Sequence, residues 1–255
     1  ISMMFSQEWL LQRELIKAIK KHFPTIPIVA GGEHSAALPD YLLRNCPAID
    51  FVVLGEGELI FLELVHRIAT GKDTTDVPGI VYQDESGDII DNGSGGRIVD
   101  IDGLPIPAWH LLNMENYFSG AFTFGFGGSK VVPIAATRGC PYQCTFCSNP
   151  KMWSTRYVMR DPAKVVDEIQ YLIDTYDANR LDFCDPTAII KRQWILDFCE
   201  ELKRRNISIS WQLPSGTRSE ALDTEILLAL KEAGCTFLVY APESGSERML
   251  KSIKK

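Results

Sequence analysis

The hydrophobic positions in the first part of the chain follow helical spacing in some segments and form short continuous runs in others. Residues 8–22 have apolar side chains at helical spacing, which predicts an amphipathic helix with one buried stripe. The predicted stripe consists of Leu11, Leu15, Ala18 and Ile19. Two apolar runs predict strands at 26–30 and 49–54, and the pattern predicts further helices over 36–45 and 58–70. This alternation indicates a parallel sheet covered by helices.

The same alternation resumes at residue 131 and continues to the last residue. Strands are predicted at 131–136, 180–184, 207–213 and 235–241. Asp161-Pro162 predicts the capped start of a helix to about residue 176, and Asp223 predicts the cap of another that ends at Gly234. Further helices are predicted over 191–205 and from Ser246. Four successive strand–helix units predict the first part of a parallel barrel, with the remaining units expected beyond Lys255.

Residues 73–130 break the pattern and are interpreted as a connection between two domains. They contain a predicted β-hairpin about Glu85-Ser86-Gly87, then a proline-rich turn and a stretch rich in Gly and Phe. The predicted domains are therefore 1–72, a linker over 73–130, and 131–255.

Composition narrows the range of functions for this chain of 255 residues. Its 45% hydrophobic and 23% charged residues are ordinary for a globular protein, and the net charge of −7 argues against nucleic-acid binding as the main activity. No apolar run is long enough for a transmembrane helix, and no signal peptide is recognised. Three of the seven cysteines lie within eight residues, which does not resemble a secreted disulfide framework. A cytoplasmic location is expected.

The clustered cysteines have the spacing C-x3-C-x2-C, at Cys140, Cys144 and Cys147, on a loop after a predicted strand. Three thiolates on one loop can bind three of the four irons of a [4Fe–4S] cluster, which leaves the fourth iron open to a chelating substrate. The alternative is a structural zinc site, which requires four ligands. The loop contains no fourth Cys or His nearby, so a cluster is the favoured interpretation.

The string RGCPYQCTFCSNP resembles the cluster-binding loop of radical S-adenosylmethionine (SAM) enzymes, and Phe146 matches the aromatic residue that packs on the adenine in that family. The resemblance implies a partial parallel barrel, a [4Fe–4S] cluster, reductive cleavage of SAM and a 5′-deoxyadenosyl radical. It also implies SAM contacts where the predicted strands end. Pro186 departs from the family pattern, so only Asp185 is transferred from the second strand end. The expected SAM-binding residues are Phe146, Asp185, Ser215, Arg218, Glu243 and Ser244.

The N-terminal residues resemble the second half of a cobalamin-binding signature, in which Ser-x-Leu is followed by a spacer and Gly-Gly. Here Ser2 begins the motif, Met4 replaces the usual Leu, and a spacer of 26 residues leads to Gly31-Gly32. A small serine and two glycines leave room for the nucleotide tail of the cofactor. The Asp-x-His-x-x-Gly half would precede Ile1, so the cobalt ligand stays open. His34 is expected to face solvent at a helix start.

The combined resemblance is to B12-binding-domain radical SAM enzymes, the group that contains the anaerobic magnesium-protoporphyrin monomethyl ester cyclases and cobalamin-dependent radical SAM methyltransferases. It implies an α/β architecture, a Rossmann-like cobalamin-binding domain truncated at its start and a radical SAM barrel truncated at its end. A small-molecule substrate and a reductase or a flavodoxin- or ferredoxin-type electron donor are expected. Methylation and oxidative cyclisation both stay open.

Two alternatives lie outside this group. Methylthiotransferases of transfer RNA have three further cluster cysteines in an N-terminal domain, whereas residues 1–139 contain only Cys46. An iron–sulfur redox or sensor protein would not cleave SAM.

Overall fold

The computed structural model describes residues 1–120, 130–187, 190–218 and 222–255. The chain forms two compact units, Ile1–Ile98 and Val99–Lys255.

The first unit is a small sheet with helices. After a 3-10 turn (Ser6–Glu8), its elements are α1 (Trp9–His22), β1 (Val29–Ala30), α2 (Glu33–Ala37), α3 (Pro39–Asn45), β2 (Phe51–Val53), α4 (Gly57–Thr70), β3 (Ile80–Gln83) and β4 (Ile89–Asp91). The sheet order is β1-β2-β3-β4, with β1 parallel to β2 and the other pairs antiparallel. Helix α4 ends at Gly71 in a left-handed conformation, as the sequence predicts.

Helix α1 packs on the unit through a different stripe from the predicted one. Trp9 and Ile16 are buried, whereas Leu11 and Leu15 are 80% and 53% exposed. Ala18 is also exposed, whereas Ile19 is half-buried and packs against the core, so the prediction of the buried stripe is wrong for three of its four residues. The physical reason is that both faces of α1 carry apolar residues, and the pattern alone does not choose between them. The core also contains Met3, Ile28, Ala30, Leu42 and Val52.

The hairpin is part of the first unit and not of a separate linker. Its strands β3 and β4 flank the predicted turn. Strand β3 pairs with β2 through three residue pairs: Ile80 with Val53, Val81 with Val52, and Tyr82 with Phe51. The first unit also includes Arg97, whose Nε donates to the buried carboxylate of Glu56 at 2.9 Å. The boundary between the compact units therefore falls at Ile98, inside the segment that the sequence predicts as a connection.

The second unit is built on a parallel sheet. After 3-10 turns at Ile101–Gly103 and Trp109–Leu111, its elements are α5 (Met114–Ser119), β5 (Val131–Ile134), β6 (Thr137–Arg138), α6 (Asn149–Met152), β7 (Val158–Met159), α7 (Pro162–Tyr176), β8 (Arg180–Phe183), α8 (Arg192–Arg204), β9 (Ser210–Thr217), α9 (Thr224–Glu232), β10 (Cys235–Tyr240) and α10 (Glu247–Ser252). The strand order of this sheet is β10-β9-β8-β5, and each strand is parallel to its neighbours. This arrangement matches the predicted strand–helix units.

Helix caps and aromatic packing explain why this unit folds locally as predicted. Asp161 accepts a hydrogen bond from the backbone N–H of Ala163 at 2.8 Å, and Asp223 accepts one from that of Ile226 at 2.8 Å. In the core, Phe183, Phe198 and Trp211 pack with ring centroids 5.3 to 5.6 Å apart. Truncating one such buried ring to alanine costs roughly 3–5 kcal/mol.

Residues 109–114 pack against the core of the second unit. Trp109 and Met114 are buried in the core of the second unit. The indole N–H of Trp109 donates to Glu168 at 3.2 Å, and Arg160 pairs with the same carboxylate at 2.6 Å. The Gly- and Phe-rich part of the predicted linker, 121–129, lies outside the described residues.

Candidate functional site

The cysteine loop connects β6 to α6 and follows the first strand of the parallel sheet. The backbone N–H of Cys147 donates to the carbonyl oxygen of Cys144 at 3.1 Å, which closes a tight turn. Asn149 fastens both ends of the loop. Its side-chain amide donates to the carbonyl oxygen of Cys140 at 3.3 Å, and its backbone N–H lies 3.5 Å from Sγ of Cys147. This role of Asn149 is not predicted from the sequence, although the Asn-Pro pair marks the start of a helix.

The three loop cysteines are free thiols, as are the other four cysteines. Cys140 and Cys144 are half-buried and Cys147 is exposed. Burial raises the pKa of Cys140, and the charges of Cys144 and Cys147 act in the same direction. A cationic iron–sulfur centre bound at the loop would favour the thiolate form of its cysteine ligands.

Among the residues that the structure describes, no group of three or more His, Cys, Asp or Glu side chains is arranged to hold a metal ion. A cubane cluster does not require three side chains around one metal ion, because each thiolate binds a different iron atom. The set of donors on the loop therefore fits a cluster.

Asp185, directly beyond β8, is almost fully buried at 1% exposure. Its carboxylate accepts hydrogen bonds from the backbone N–H of Ala136 at 3.1 Å and from the hydroxyl of Thr137 at 2.5 Å. Burial raises the pKa of Asp185 to about 6, while these hydrogen bonds act in the opposite direction. The residue connects the end of the second strand to the start of the cysteine loop. Contact with the methionine amino group of SAM stays a prediction for Asp185.

Tyr157 is a half-buried group at this strand end that is not predicted from the sequence. Its hydroxyl donates to the carbonyl oxygen of Thr187 at 3.3 Å, and burial raises its pKa. No local pattern marks this tyrosine, because its partner is 30 residues away.

Arg218 follows β9 and lies against the cysteine loop. Its guanidinium carbon is 3.9 Å from the ring centroid of Tyr142, and its Nη1 is 4.0 Å from Sγ of Cys144. Ser215 is half-buried and lies within β9, three residues before Arg218. The structure therefore brings one expected SAM-binding residue, Arg218, directly to the predicted cluster site.

The segment after β10 contains Glu243 and Ser244. Glu243 has a positive φ of 61°, and its carboxylate accepts a hydrogen bond from Lys255 at 3.1 Å. The hydroxyl of Ser244 accepts one from the backbone N–H of Ser246, and Ser246 caps α10. Phe146, on the cysteine loop itself, is 58% exposed. The SAM contacts of these three expected residues stay predictions.

In the first unit, the residues of the predicted cobalamin signature meet at one edge of the sheet. Ser2 forms a parallel bridge with Gly31, and the backbone N–H of Met3 donates to the Gly31 carbonyl at 2.6 Å. A Cβ on Gly32 would lie 2.7 Å from the carbonyl oxygen of Met3, so packing of the chain requires this glycine. A Cβ on Gly31 would meet no atom within 4 Å. Met4 is 50% exposed.

The free space at Gly31 fits a bound group that comes close to the backbone. The φ angle of Gly31 is also outside the positive range that favours glycine, so protein packing does not explain its lack of a side chain. Ser2 beside it is small and exposed. Cobalamin binding by Ser2, Met4, Gly31 and Gly32 stays a prediction.

His34 is buried at 4% exposure, so the prediction that it faces solvent is wrong. Its Nδ1 lies 2.9 Å from the hydroxyl of Ser6, and its ring packs 5.8 Å from that of Trp9. Within the described part of the chain, its Nε2 has no hydrogen-bond partner. Burial lowers the pKa of His34. The helix start at Glu33 turns this side chain inward, toward α1.

No helix in the described ranges combines the length and the apolar character that a membrane crossing requires.

Two sequence profiles match the chain. The profile of the Radical SAM superfamily matches residues 134–255, and that of the B12 binding domain matches residues 1–65.

Curated proteins are similar in sequence to this chain over most of its length. The chain is 32% identical to an uncharacterised methyltransferase of Pyrococcus horikoshii over 89% of this chain and 48% of that protein. It is 31% identical to the anaerobic magnesium-protoporphyrin IX monomethyl ester cyclase of Rubrivivax gelatinosus, over 94% of this chain and 42% of that protein. The chain thus spans about half the length of these curated relatives.

Solved structures show the same fold. The radical SAM methyltransferase TsrM from Kitasatospora setae, with tryptophan and a SAM analogue bound, superposes with a TM-score of 0.76 at 23% identity. The match covers 95% of this chain and 46% of TsrM.

Proposed function

Because this chain belongs to the radical SAM family whose members carry a B12-binding domain, we propose that it acts in cobalamin-dependent radical chemistry on a small molecule. In this family, one domain uses cobalamin, and the other uses a [4Fe–4S] cluster together with SAM. The proposed activity belongs to the full-length protein, of which this chain supplies the two cofactor-binding regions.

The observation that carries the proposal is the group of three free thiols on one loop after the first strand of a parallel sheet. We assign Cys140, Cys144 and Cys147 as the cluster ligands. A bound, reduced cluster would supply the electron for cleavage of SAM, and bound cobalamin would supply a methyl carrier. The three thiolates of the loop would hold the cluster and leave it accessible to SAM.

The residues around the loop have two proposed roles. Asn149 and Asp185 hold the loop and the strand end in place through the hydrogen bonds described above. Phe146 is exposed and would stack on the adenine. The other proposed SAM contacts are Asp185, Ser215, Arg218, Glu243 and Ser244.

In the first unit, we propose that cobalamin lies along the edge formed by Ser2, Met4, Gly31 and Gly32. The open space at Gly31 supports this placement, since a ligand would fill the volume that a side chain would otherwise take. Gly32 contributes indirectly, because it lets the Ser2–Met3 backbone approach.

The substrate class is a small molecule, and two reactions fit the family. The Pyrococcus relative is a methyltransferase and the Rubrivivax relative is a cyclase that acts on a tetrapyrrole ester. Methylation and oxidative cyclisation are therefore both proposed, with a flavodoxin- or ferredoxin-type protein or a reductase as electron donor. The cytoplasmic location expected from the cysteine pattern stays a prediction.

A transfer-RNA methylthiotransferase fits the structure poorly. Such an enzyme needs a second set of cluster cysteines, and Cys46, alone in residues 1–139, is fully buried in the core of the first unit.

The test uses the full-length protein, reconstituted anaerobically with iron and sulfide, reduced, and incubated with SAM. We expect 5′-deoxyadenosine from the wild type and none from a Cys140→Ala, Cys144→Ala, Cys147→Ala variant. Cys184→Ala is the matched control, because this free cysteine is exposed in the same unit but lies outside the loop. Transfer of label from the SAM methyl group to product, only when cobalamin is present, would identify methylation.

A wild-type protein with a complete, reducible cluster and no 5′-deoxyadenosine would contradict the proposal. That result would favour the iron–sulfur redox or sensor alternative.

A further inference from the structure

The contact between Arg218 and the cysteine loop joins two distant parts of the second unit. The guanidinium carbon of Arg218 lies 3.9 Å from the centroid of the Tyr142 ring, and its Nη1 lies 4.0 Å from Sγ of Cys144. Tyr142 stands between the first two loop cysteines, whereas Arg218 follows the third strand of the sheet. The side chain therefore reaches across from one strand end to another.

The geometry has the form of a cation–π contact. A guanidinium over an aromatic face is attracted to the ring, and the attraction increases when the pair is withdrawn from water. Arg218, Tyr142 and Cys144 are each half-buried. The planar guanidinium can stack on the ring while an edge N–H points to the sulfur, and a lysine ammonium cannot do both.

The charge of Arg218 also has a predictable effect on an electron-accepting centre at these cysteines. Reduction of a cluster adds one negative charge, which a nearby fixed positive charge stabilises. Charge, hydrogen bonds to sulfur and solvent exposure are the features by which proteins set cluster potentials. The contact of Arg218 with a ligand sulfur provides the first two of these features.

We propose that Arg218 is a positioning residue that holds the cysteine loop through the face of Tyr142 and raises the reduction potential of the cluster. The inference rests on the cluster of the proposed function. It goes beyond a SAM contact for Arg218, because the effect on the potential exists before SAM binds.

The test is an anaerobic redox titration of the reconstituted full-length protein, followed by electron paramagnetic resonance, with SAM and cobalamin left out. In Arg218→Gln, we expect the ratio of reduced to oxidised cluster at a fixed potential to fall about tenfold, or about 59 mV for a one-electron couple. The reduction potential of Arg218→Lys should lie between those of Arg218→Gln and the wild type. Tyr142→Phe should match the wild type, and Tyr142→Leu should shift in the direction of Arg218→Gln.

Arg204→Gln is the charge-matched control, because the guanidinium of Arg204 pairs with Glu201 on its own helix. It should leave the potential unchanged. Equal potentials in the wild type, Arg218→Gln and Tyr142→Leu would overturn the inference. If Arg218→Gln does not retain its cluster, the reduction potentials of Arg218→Lys and Tyr142→Leu are compared with that of the wild type. Equal potentials in these three proteins would likewise overturn the inference.

Failure of the wild type to form a cluster is a separate outcome. It would overturn the proposed function and, with it, the inference. A normal cluster with no SAM cleavage would leave the effect of Arg218 on the potential intact.

Discussion

The carboxylate of Asp185 accepts a hydrogen bond from the hydroxyl of Thr137, 2.5 Å away, at the point where the chain leaves the first two strands of the parallel sheet. The two residues are 48 positions apart in sequence. Their contact fixes the direction in which the chain enters the cysteine loop, three residues before Cys140.

The raised pKa of Asp185 predicts a specific pH dependence of stability. The folded pKa is about 6, above the value of about 3.9 in an unfolded chain, so the folded state binds the proton more tightly. The resulting stabilisation is complete below about pH 4 and is lost as the pH rises through 6, with a total change of about 3 kcal/mol. We expect Asp185→Asn to remove this contribution.

The measurement is urea unfolding of cluster-free protein between about pH 4 and 7.5, with the wild type and Asp185→Asn side by side. The free energy of unfolding of the wild type relative to the variant should fall over this range. Parallel pH profiles would contradict the assignment. Thr137→Val serves as a second variant, expected to cost about 1–3 kcal/mol because it removes a hydrogen bond to a buried carboxylate.

Gly31 and Gly32 form a matched pair for the cobalamin edge. Gly32→Ala should destabilise the first unit by about 2 kcal/mol or more, because its φ of 98° is unfavourable for alanine and its Cβ would collide with the carbonyl of Met3. Gly31→Ala should change stability by less than about 0.5 kcal/mol, since its Cβ enters open space.

The two variants separate folding from cofactor binding. If cobalamin fills the space at Gly31, Gly31→Ala should weaken cobalamin binding about tenfold, measured by absorbance titration. Unchanged affinity in a normally folded Gly31→Ala protein would place the cofactor elsewhere.

His34 predicts a loss of stability in acid for the first unit. Burial lowers its folded pKa below that of an unfolded histidine, so the contribution of this group is present above about pH 6.5 and is lost as the pH falls below it. A His34→Phe variant should show a smaller decrease in unfolding free energy from pH 7.5 to 5. His22 is exposed and also bonded on one nitrogen, so His22→Phe is the control. A profile of His34→Phe identical to that of the wild type would show that His34 is not the responsible group.

Asn149 predicts a change in cluster retention. Asn149→Ala removes the donor to the Cys140 carbonyl at one end of the loop and should cost about 1 kcal/mol. We expect the variant to lose iron to a chelator about five times faster than the wild type, a ratio that corresponds to that energy. Asn116→Ala, at an exposed helix in the same unit, should retain the cluster normally.

The sequence predicts the fold well where the information is local. Asp161 and Asp223 mark helix starts because each side chain bonds a backbone N–H two or three residues later. The three loop cysteines are identifiable because their spacing lies within one loop. The parallel order of the second sheet follows from its alternating strands and helices.

The sequence does not predict features that depend on distant contacts. The buried face of α1 depends on which of two apolar stripes meets the sheet. The burial of His34 depends on Trp9, which lies 25 residues before it and packs against its ring. Arg218 and Cys144 are 74 residues apart, so no local motif indicates their contact.

The attachment of Trp109 to Glu168 has a consequence for how the two halves of such a protein can be exchanged between relatives. A chimaera joined at residue 131 would remove Trp109 and Met114 from the second core and leave Glu168 without its indole donor. A junction at Ile98 and Val99 would instead keep each core intact. The unit to exchange is therefore the parallel sheet with its helices together with the upstream segment 99–114, and chimaeras joined at this boundary should preserve folding of both parts.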